Sequence, residues 1–245
     1  MSDTEFSSRT YWLVGASDGL GAAIAKKLSA AGATVILSAR SADKLNAMSE
    51  ALPGRTRVQP MDLSDTQSVR DAAAAIGPVD GVVLVAGQYW PFGAKDWKAD
   101  EAVAMADVNF TGFMRVLGEV MPGLVERDAG HIVIISSLVA FRGLPGSIGY
   151  TASKAATLSL AESMYADLRK TGIKVQVALP GFIRTRLTDK NDFHMPFIME
   201  PEDAAREIFE LMCTDRFKKS FPRRFAWLFR LAQLLPDGLY FRLFS

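Results

Sequence analysis

Short apolar runs alternate with helical patterns along most of this chain, and that alternation limits the folds it can adopt. Residues 10–14 form the first run, followed by a glycine-rich turn and a small-residue helical pattern. Such alternation with short connections is typical of a right-handed, doubly wound parallel sheet. We therefore predict an α/β fold with helices on both faces, in one domain over residues 1–245. Further predicted strands are 34–39, 55–61, 80–85, 130–136 and 173–179, with helices at 41–52, 99–126 and 150–170.

Composition argues against several classes of protein. The formal net charge is +1, so overall charge gives no reason to expect a nucleic-acid partner. The single cysteine, Cys213, leaves no disulfide framework and favours a reducing, cytoplasmic location. Two histidines and one cysteine offer little for a structural zinc site, and we expect no metal. The N-terminus lacks the apolar core of a signal peptide, and no uncharged apolar run is long enough to span a bilayer.

The glycine-rich turn follows the first predicted strand and contains Gly15, Gly19 and Gly21. Glycines permit a tight turn and a close approach of the backbone to a pyrophosphate, which the N-terminus of the next helix would face. Such turns also serve packing alone. The strand before this turn and the helix after it favour nucleotide binding.

Arg40 follows the second predicted strand, nineteen positions after Gly21. A carboxylate near this position would hold the ribose 2′-hydroxyl of NAD, whereas an arginine accommodates the 2′-phosphate of NADP. Asp18 gives that phosphate no support, and Arg40 could be an ordinary surface residue. We expect NADP(H) as the preferred cofactor, with NAD(H) as the alternative. Asp62, after the third strand, could bind the adenine amino group or cap a helix beginning near Ser64.

Tyr150 and Lys154 stand four positions apart, so a helix places both on one face. A free phenol has a pKa near ~10, and lowering it by about 3 units, roughly 4 kcal/mol, leaves it substantially ionised at neutral pH. One cation at ~4 Å, in an effective dielectric of ~20, supplies an interaction of about that size. The pair could therefore act as a proton shuttle. A tyrosine and a lysine at this spacing are also common as a solvated structural pair.

Two more polar residues occupy positions that suit a catalytic site. Ser137 ends the fifth predicted strand, and the turning loop after it can bring the hydroxyl beside Tyr150. Asn109 lies in an otherwise apolar helical pattern, where its propensity is unfavourable. A buried amide with satisfied hydrogen bonds is the structural alternative for Asn109. Further along, Pro180-Gly181 breaks the chain after the sixth strand.

With these motifs in this order, the chain resembles the single-domain branch of the short-chain dehydrogenases/reductases, over about residues 11–186. The resemblance implies a Rossmann-type fold, with Tyr150 as acid/base and Ser137 hydrogen-bonded to the substrate carbonyl. Lys154 would lower the pKa of the tyrosine and bind the nicotinamide ribose, and Asn109 would hold a water beside that lysine. The expected cofactor contacts are Gly15, Ser17, Gly19, Leu20, Gly21, Arg40, Asp62, Leu63, Ala86, Gly87, Tyr150, Lys154, Pro180, Gly181, Ile183 and Thr185.

The chain departs from the family pattern at two positions. Val14 stands where the family often has threonine before the first glycine, so one side-chain hydrogen bond is lost. Val85 stands where the family has the asparagine of Asn-Ala-Gly, which supports the cofactor pocket. These departures put details of the pocket in doubt more than the chemistry.

Two apolar loops are expected to border the substrate. One leaves the carboxyl end of the fourth predicted strand, where ligands of open α/β sheets bind. The other, residues 182–200, takes the place of the family's substrate lid. Its apolar residues indicate a lipophilic substrate, unless they pack on the core instead. The expected substrate contacts are Tyr89, Trp90, Phe92, Leu138, Arg142, Phe182, Phe193 and Phe197.

The resemblance implies an oxidoreductase that interconverts a carbonyl and an alcohol. NADPH would deliver hydride to a ketone or aldehyde while Tyr150 supplies the proton. A non-catalytic dinucleotide-binding sensor or scaffold is the alternative, although binding alone does not require the phenol. A dehydratase or epimerase could use the same Tyr150–Lys154 pair, but there is little room for a second substrate domain. Family members are usually dimers or tetramers, so we expect a homodimer or homotetramer.

The C-terminal segment, residues 216–245, has a composition of its own. It holds eight aromatic residues, seven lysines and arginines and a single acid, Asp237. Basic, aromatic-rich amphipathic helices can lie in a bilayer interface. This one could also cover the substrate pocket or a neighbouring subunit. The expected apolar stripe is Phe221, Phe225, Leu228, Phe229, Ala232 and Leu235, with Arg223, Arg224 and Arg230 outside it.

Overall fold

The computed structural model describes residues 6–244. Their strands form one parallel sheet in the order β3-β2-β1-β4-β5-β6-β7. Because β1 pairs with both β2 and β4, the chain builds outward from β1 and then returns to build the other half. This is the doubly wound parallel sheet that we predicted. The strands are β1 (Thr10–Val14), β2 (Thr34–Ser38), β3 (Thr56–Val58), β4 (Gly81–Leu84), β5 (Gly130–Ile135), β6 (Ile173–Pro180) and β7 (Lys218–Phe221).

Helices cover both faces of the sheet, and two of them form the predicted C-terminal extension. Side chains alternate along each strand, so both faces are buried. Leu13 belongs to the cluster that includes Leu28 of α1, whereas Trp12 belongs to the cluster with Phe113 of α5. The helices are α1 (Gly19–Ala30), α2 (Ala42–Ala51), α3 (Thr66–Ile76), α4 (Ala99–Ala106), α5 (Gly112–Glu126), α6 (Ile148–Leu168), α7 (Pro201–Met212), α8 (Arg223–Ala232) and α9 (Asp237–Phe244).

The long helix predicted over residues 99–126 is two α-helices joined by a π-helical turn. This turn spans Asp107–Thr111 and contains Asn109, which is fully buried. Single π turns are frequent at functional sites because they change the direction of side chains locally. Here the turn directs the amide of Asn109 to the loop after β4.

The seventh strand was not predicted, because it has no apolar run. Lys218 and Lys219 instead form ion pairs with glutamates of α6 and α7, and β7 pairs in parallel with β6. The predicted stripe at the C-terminus therefore needs correction. Phe221 ends β7 and is buried, the helix begins at Arg223, and Leu228 is exposed rather than inward-facing. Within residues 6–244, no helix has the length and apolar character needed to cross a bilayer.

Candidate active site

A cleft of about 690 Å³ opens at the carboxyl ends of the strands. It lies around β1 and β4, where the strand order reverses, which is the usual ligand site of open α/β sheets. All of the residues that we expected at the cofactor line this cleft, as does Ser137. Asn109 does not line it and lies buried behind Gly87.

The glycine-rich turn forms one wall of the cleft because side chains have no room there. A Cβ on Gly15 would come within 2.5 Å of the Ala86 nitrogen, and a Cβ on Gly21 within 1.9 Å of the Gly15 oxygen. Gly15 and Gly19 also have φ values of 100° and 48°, which disfavour other residues. The backbone and the N-terminus of α1 are therefore directly accessible to an anion.

Arg186, which sequence analysis missed, reaches over this turn from the lid segment. It forms an ion pair with Asp18, whose other oxygen accepts a hydrogen bond from the Gly19 amide at 2.7 Å. Thr185 lies so close that a Cβ on Gly19 would meet its methyl group at 2.8 Å. The start of the lid is thus fixed against the glycine turn by charge and by packing.

Two cations line the end of the cleft beside β2. Arg40 follows β2 as predicted, and Lys44, four residues later in α2, lines the same space. Ser41 stands between them and caps α2, accepting a hydrogen bond from the Lys44 amide at 3.4 Å. Sequence analysis identified Arg40 alone. The i, i+4 spacing of Arg40 and Lys44 at a helix N-terminus was the signal that could have found the second cation.

Asp62 uses its carboxylate within its own turn. One oxygen accepts hydrogen bonds from the Ser64 amide at 2.9 Å and from the Ser64 hydroxyl at 2.6 Å. Burial tends to raise the pKa of Asp62, but these hydrogen bonds and the nearby Arg40 and Arg115 outweigh it and hold the pKa below its usual value. The helix that follows begins at Thr66 and is capped by Asp65, so Asp62 caps a turn and not that helix.

Tyr150, Ser137 and Lys154 line the same cleft. The Ser137 hydroxyl lies close enough to the phenol of Tyr150 to affect its pKa, and it donates to the Pro180 carbonyl at 3.5 Å. The Lys154 ammonium, almost fully buried, donates to the Ile135 carbonyl at 3.0 Å and lies 5.8 Å from the centre of the Tyr150 ring. These three residues come from the end of β5 and the first turns of α6, which share this edge of the sheet.

The two ionisable groups have shifted pKa values in opposite directions. Burial raises the pKa of Tyr150 to about 12, and Tyr89 adds to the shift while the Ser137 hydrogen bond opposes it. Burial lowers the pKa of Lys154 to about 8. The lowered phenol pKa that we expected from the neighbouring cation is therefore not observed. Desolvation is the largest effect on the phenol, so the phenol is protonated at neutral pH.

Asn109 has the satisfied buried amide that was the structural alternative. Its Oδ1 accepts from the Gln88 amide at 2.7 Å, and its Nδ2 donates to the Gln88 carbonyl at 2.9 Å and to the Ser153 hydroxyl at 3.0 Å. The side chain thereby ties the loop after β4 to α6, one residue from Lys154. A role in holding water beside that lysine stays a prediction.

Gln88 is a residue of the cleft that sequence analysis missed. It lines the cavity, and its buried Oε1 has no hydrogen-bond partner among the residues that the structure describes. Buried polar atoms are nearly always paired in folded proteins. An unpaired one facing a cleft indicates a contact for a ligand with a hydrogen-bond donor.

The loop after β4 and the lid hold each other beside the cleft. The Tyr89 hydroxyl donates to Asn191 Oδ1 at 3.0 Å, and Lys190 donates to the Tyr89 carbonyl at 2.6 Å. The Lys190 ammonium also lies 4.5 Å from the centre of a Trp90 ring. Tyr89 packs directly on the ring of Tyr150, although neither Tyr89 nor Trp90 lines the cleft itself.

None of the eight residues that were expected to contact substrate lines the cleft itself, and three of them are turned to other partners. Phe92 is buried against Trp97, and Leu138 lies in the core. Arg142 turns away to the C-terminal extension, where it bonds the Ala232 and Leu235 carbonyls, at 2.9 and 2.7 Å. In each case packing or hydrogen bonding to a distant segment decides the direction of the side chain.

The aromatic residues of the lid pack together with α8. The ring of Phe182 lies 5.9 Å from Phe193 and 5.6 Å from Phe225, and Phe197 lies 5.7 Å from Phe225. Phe225 also covers Gly181, since a Cβ there would come within 2.9 Å of its ring. The lid residues are therefore partly packed, with Phe193 and Phe197 about half exposed.

The arrangement fits a nicotinamide dinucleotide. The glycine turn admits a pyrophosphate, Arg40 and Lys44 supply positive charge at one end, and Gln88, with its unpaired oxygen, lines the same cleft. Tyr150 and Lys154 lie towards the other end, beside Pro180-Gly181. These features offer backbone amides, cations and a proton donor along one continuous groove.

Comparison with known proteins agrees with this geometry. The family profile described as short chain dehydrogenase matches residues 9–195. An uncharacterized oxidoreductase of Myxococcus xanthus is 37% identical over 243 residues, covering 96% of each chain. A solved structure named as a short chain dehydrogenase/reductase family protein has 29% identity and a TM-score of 0.79, covering 84% of this chain and 90% of its own.

A short-chain dehydrogenase from Streptomyces avermitilis has 25% identity and a TM-score of 0.82 and covers 97% of this chain and 95% of its own. The family model and the Myxococcus relative each match well over half of the chain. This chain therefore belongs to the short-chain dehydrogenase/reductase family, whose members are oxidoreductases that use a nicotinamide dinucleotide.

Proposed function

We propose that this protein interconverts a lipophilic ketone or aldehyde and the matching alcohol, with NADP(H) as cofactor. One observation carries the proposal. A protonated phenol, Tyr150, stands with Ser137 and a buried lysine, Lys154, in a cleft that fits a dinucleotide. Pure binding of a dinucleotide does not require this set of groups.

When bound, the nicotinamide supplies or accepts a hydride. The chain's own residues would polarise the carbonyl and supply the proton that its oxygen receives. Ser137 donates a hydrogen bond that polarises the carbonyl as charge develops. Tyr150 gives its proton to that oxygen, since burial keeps the phenol protonated at neutral pH. In the reverse direction the same phenol oxygen receives the proton of the alcohol.

Lys154 would stabilise the tyrosinate that forms when the proton leaves. Its burial keeps the positive charge unscreened by water, so the attraction to a new anion is strong. The same burial lowers its pKa to about 8, so the ammonium is still the main form at neutral pH. Asn109 and Ser136 would position Lys154 without contacting the substrate. The Ser136 hydroxyl donates to the Lys154 backbone carbonyl at 2.8 Å, and Asn109 donates to the neighbouring Ser153.

The preference for NADP(H) over NAD(H) is supported by the cations beside β2. Arg40 and Lys44 line the cleft where a doubly wound sheet presents the adenosine ribose. Ser41 adds a hydroxyl at the N-terminus of α2, which favours an anion. The Asp62 carboxylate accepts hydrogen bonds from Ser64 within its own turn.

A lipophilic substrate is supported by the apolar surroundings of the phenol. Tyr89 and Tyr150 together with Phe182 and Phe193 of the lid form aromatic pairs that make an apolar wall, and Trp90 contacts Lys190 of the lid. Such a wall favours hydrophobic ketones over charged or strongly polar ones.

Replacing Tyr150 by phenylalanine tests the proposed proton donor. We expect NADPH consumption with a panel of hydrophobic ketones and aldehydes to fall at least about a thousandfold, since the acid is removed. NADPH binding, followed by cofactor fluorescence, should stay close to wild type. Turnover retained by the variant would contradict the assignment. A wild-type protein that binds NADPH but turns over no carbonyl or alcohol would favour the non-catalytic sensor.

Three broader features belong to the same proposal. We infer a single domain over residues 1–245 and a reducing, cytoplasmic location, as the lone Cys213 suggests. A homodimer or homotetramer is supported by exposed apolar side chains on α4, α5 and α6. These are Val103, Met114, Val125 and Tyr165. Sedimentation velocity of the purified chain would measure the assembly directly.

A further inference from the structure

The outward side of α8 and α9 exposes many large apolar side chains. Over residues 6–244, fifteen large hydrophobic side chains are exposed, and eight of them lie between residues 227 and 244. An apolar surface of this density on a folded protein usually marks an interaction site. The eight are Trp227, Leu228, Leu231, Leu234, Leu239, Phe241, Leu243 and Phe244.

The exposed residues are distinct from those that hold α8 on the protein. Phe225, Ala226 and Ala232 face inward and are buried. Trp227, Leu228 and Leu231 follow each other at helical spacing on the opposite side, and Leu234 continues the row just beyond the helix. The helix is thus apolar on two sides, and folding of the chain requires only one of them.

Arg142 fixes the two helices in place, so their outward side is a defined surface. Its guanidinium bonds the Ala232 carbonyl and pairs with Asp237 at 2.5 Å. It also lies 3.9 Å from the centre of the Tyr240 ring, and the Tyr240 hydroxyl donates to the Gly143 carbonyl at 2.9 Å. The turn between α8 and α9 is therefore anchored to the loop after β5.

The charge around this surface is strongly positive. Asp237 is the only acid between residues 216 and 244, and Arg142 already neutralises it. Arg223 and Arg224 are exposed at the start of α8, and Arg242 is exposed on α9. Within residues 6–244, these three arginines form no ion pair. Exposed cations next to exposed apolar side chains complement a surface that is anionic outside and apolar beneath.

A second copy of this chain fits the surface poorly. In a twofold dimer the patch packs on the same patch of the other copy, which brings two sets of arginines into one interface while residues 216–244 supply no unpaired carboxylate. An anionic lipid bilayer has no such conflict. Its headgroups attract arginine, and tryptophan is favoured at the boundary between headgroups and acyl chains.

We propose that the outward side of α8 and α9 docks this protein on an anionic lipid bilayer. The apolar side chains enter the boundary between headgroups and acyl chains, while Arg223, Arg224 and Arg242 contact lipid phosphates. On its inner side α8 packs on Phe182 and Phe197 of the lid through Phe225. The docked bilayer would therefore lie next to the lid. This inference does not depend on the reaction proposed above.

Co-sedimentation of the full-length protein with vesicles tests the proposal. We expect binding to phosphatidylglycerol/phosphatidylcholine vesicles and much weaker binding to phosphatidylcholine alone. Trp227→Ser with Leu231→Ser should lower the partition coefficient about tenfold or more, because two apolar side chains that would be buried in the bilayer are lost. Arg223→Glu with Arg224→Glu should lower it by a similar factor, since each lysine or arginine near an anionic surface contributes about 1 kcal/mol.

Arg169→Glu with Lys170→Glu is the matched control. It makes the same change in net charge on exposed residues at the end of α6, near the amino-terminal end of β6, whereas α8 follows the carboxyl end of β7. Binding of this variant should stay within about twofold of wild type, because surface charges act within a Debye length. Equal losses in both charge variants would overturn the proposal, because binding would then follow net charge alone.

Two further outcomes would also overturn it. One is absence of binding to anionic vesicles at low salt. The other is a change in sedimenting mass for Trp227→Ser with Leu231→Ser without vesicle binding by the wild type, which would assign the surface to a second copy. Thermal unfolding checks that each variant is folded. Should the double variant unfold early, Leu234→Ser, at a position 80% exposed, takes its place and should still weaken binding.

Discussion

The ring of Tyr89 packs edge-on against the ring of Tyr150, with centroids 5.1 Å apart and planes at 72°. Tyr89 is itself held by two residues of the lid, Asn191 and Lys190. The proposed proton donor is therefore shielded from water by a residue that the lid keeps in place. Burial raises the pKa of Tyr150 to about 12, and Tyr89 contributes to that shift. Part of the raised pKa of the phenol thus comes from a residue that the lid holds in place.

Tyr89→Ala should lower the pKa of Tyr150 from about 12 towards its ordinary value of 10, because water reaches the phenol. The measurement is the tyrosinate absorbance that disappears when Tyr150→Phe is added to the same variant. Tyr89→Phe is the control, since it keeps the ring and loses only the hydrogen bond to Asn191. A pKa unchanged in Tyr89→Ala would mean that other residues bury the phenol.

Arg40→Ala and Lys44→Ala should each weaken NADPH binding by about tenfold or more, since a hydrogen bond to a charged group contributes about 1.5–3 kcal/mol. NADH binding should change little, because NADH has no 2′-phosphate. Fluorescence titration with both cofactors gives the two dissociation constants. Lys26→Ala, on the exposed side of α1, is the control and should leave both unchanged. Equal weakening for NADPH and NADH would reject the 2′-phosphate contact.

Lys154 should make the stability of the fold depend on pH in a defined direction. Burial lowers its pKa to about 8 from an ordinary 10.5, so between these values the unfolded chain binds more protons than the folded protein. Stability from this residue therefore rises with pH over that interval and is flat below it. From about pH 8 to about pH 10, the unfolding free energy of the wild type should gain about 2 kcal/mol relative to Lys154→Met.

Urea denaturation of both proteins across this pH range is the measurement. Tyr150 is present in both, so its own titration cancels in the difference. Parallel curves would mean that Lys154 titrates normally. Lys154→Met should also lose turnover, because no cation remains to stabilise the tyrosinate.

Arg142→Ala should loosen the C-terminal extension without affecting the sheet. The variant loses the hydrogen bonds to the Ala232 and Leu235 carbonyls, the pair with Asp237 and the contact with Tyr240. Amide exchange in residues 233–244 should accelerate about tenfold or more, because several interactions of about 1 kcal/mol each are removed. Asp237→Asn, which removes only the charge, should show a smaller effect. Unchanged exchange in Arg142→Ala would show that packing alone holds the extension.

Local patterns predicted much of the fold and the centre of the site. Strand β1 was predicted at its observed bounds, and the other five predicted strands lie within one to three residues of those found. The spacing of Tyr150 and Lys154 placed both on the first turns of α6, and the glycines marked the turn before α1. These features depend on periodicity and turn residues, which neighbouring positions in the chain encode.

Contacts between distant segments had no comparable signal. Arg142 gave no indication that it would bind carbonyls some ninety positions away, and Gln88 gave none that it would pair with Asn109. Strand β7 has one buried apolar residue, Phe221, and its two lysines pair with glutamates of α6 and α7.

The pKa of Tyr150 also depends partly on local sequence and partly on contacts between distant segments. Its helical spacing from Lys154 is a property of the sequence, but its pKa is raised because the fold buries the phenol, with a smaller contribution from Tyr89. Sequence alone determined which groups are present and which lie near in the chain. Tertiary packing decided which of them are desolvated and paired, because burial depends on the whole fold and not on local spacing.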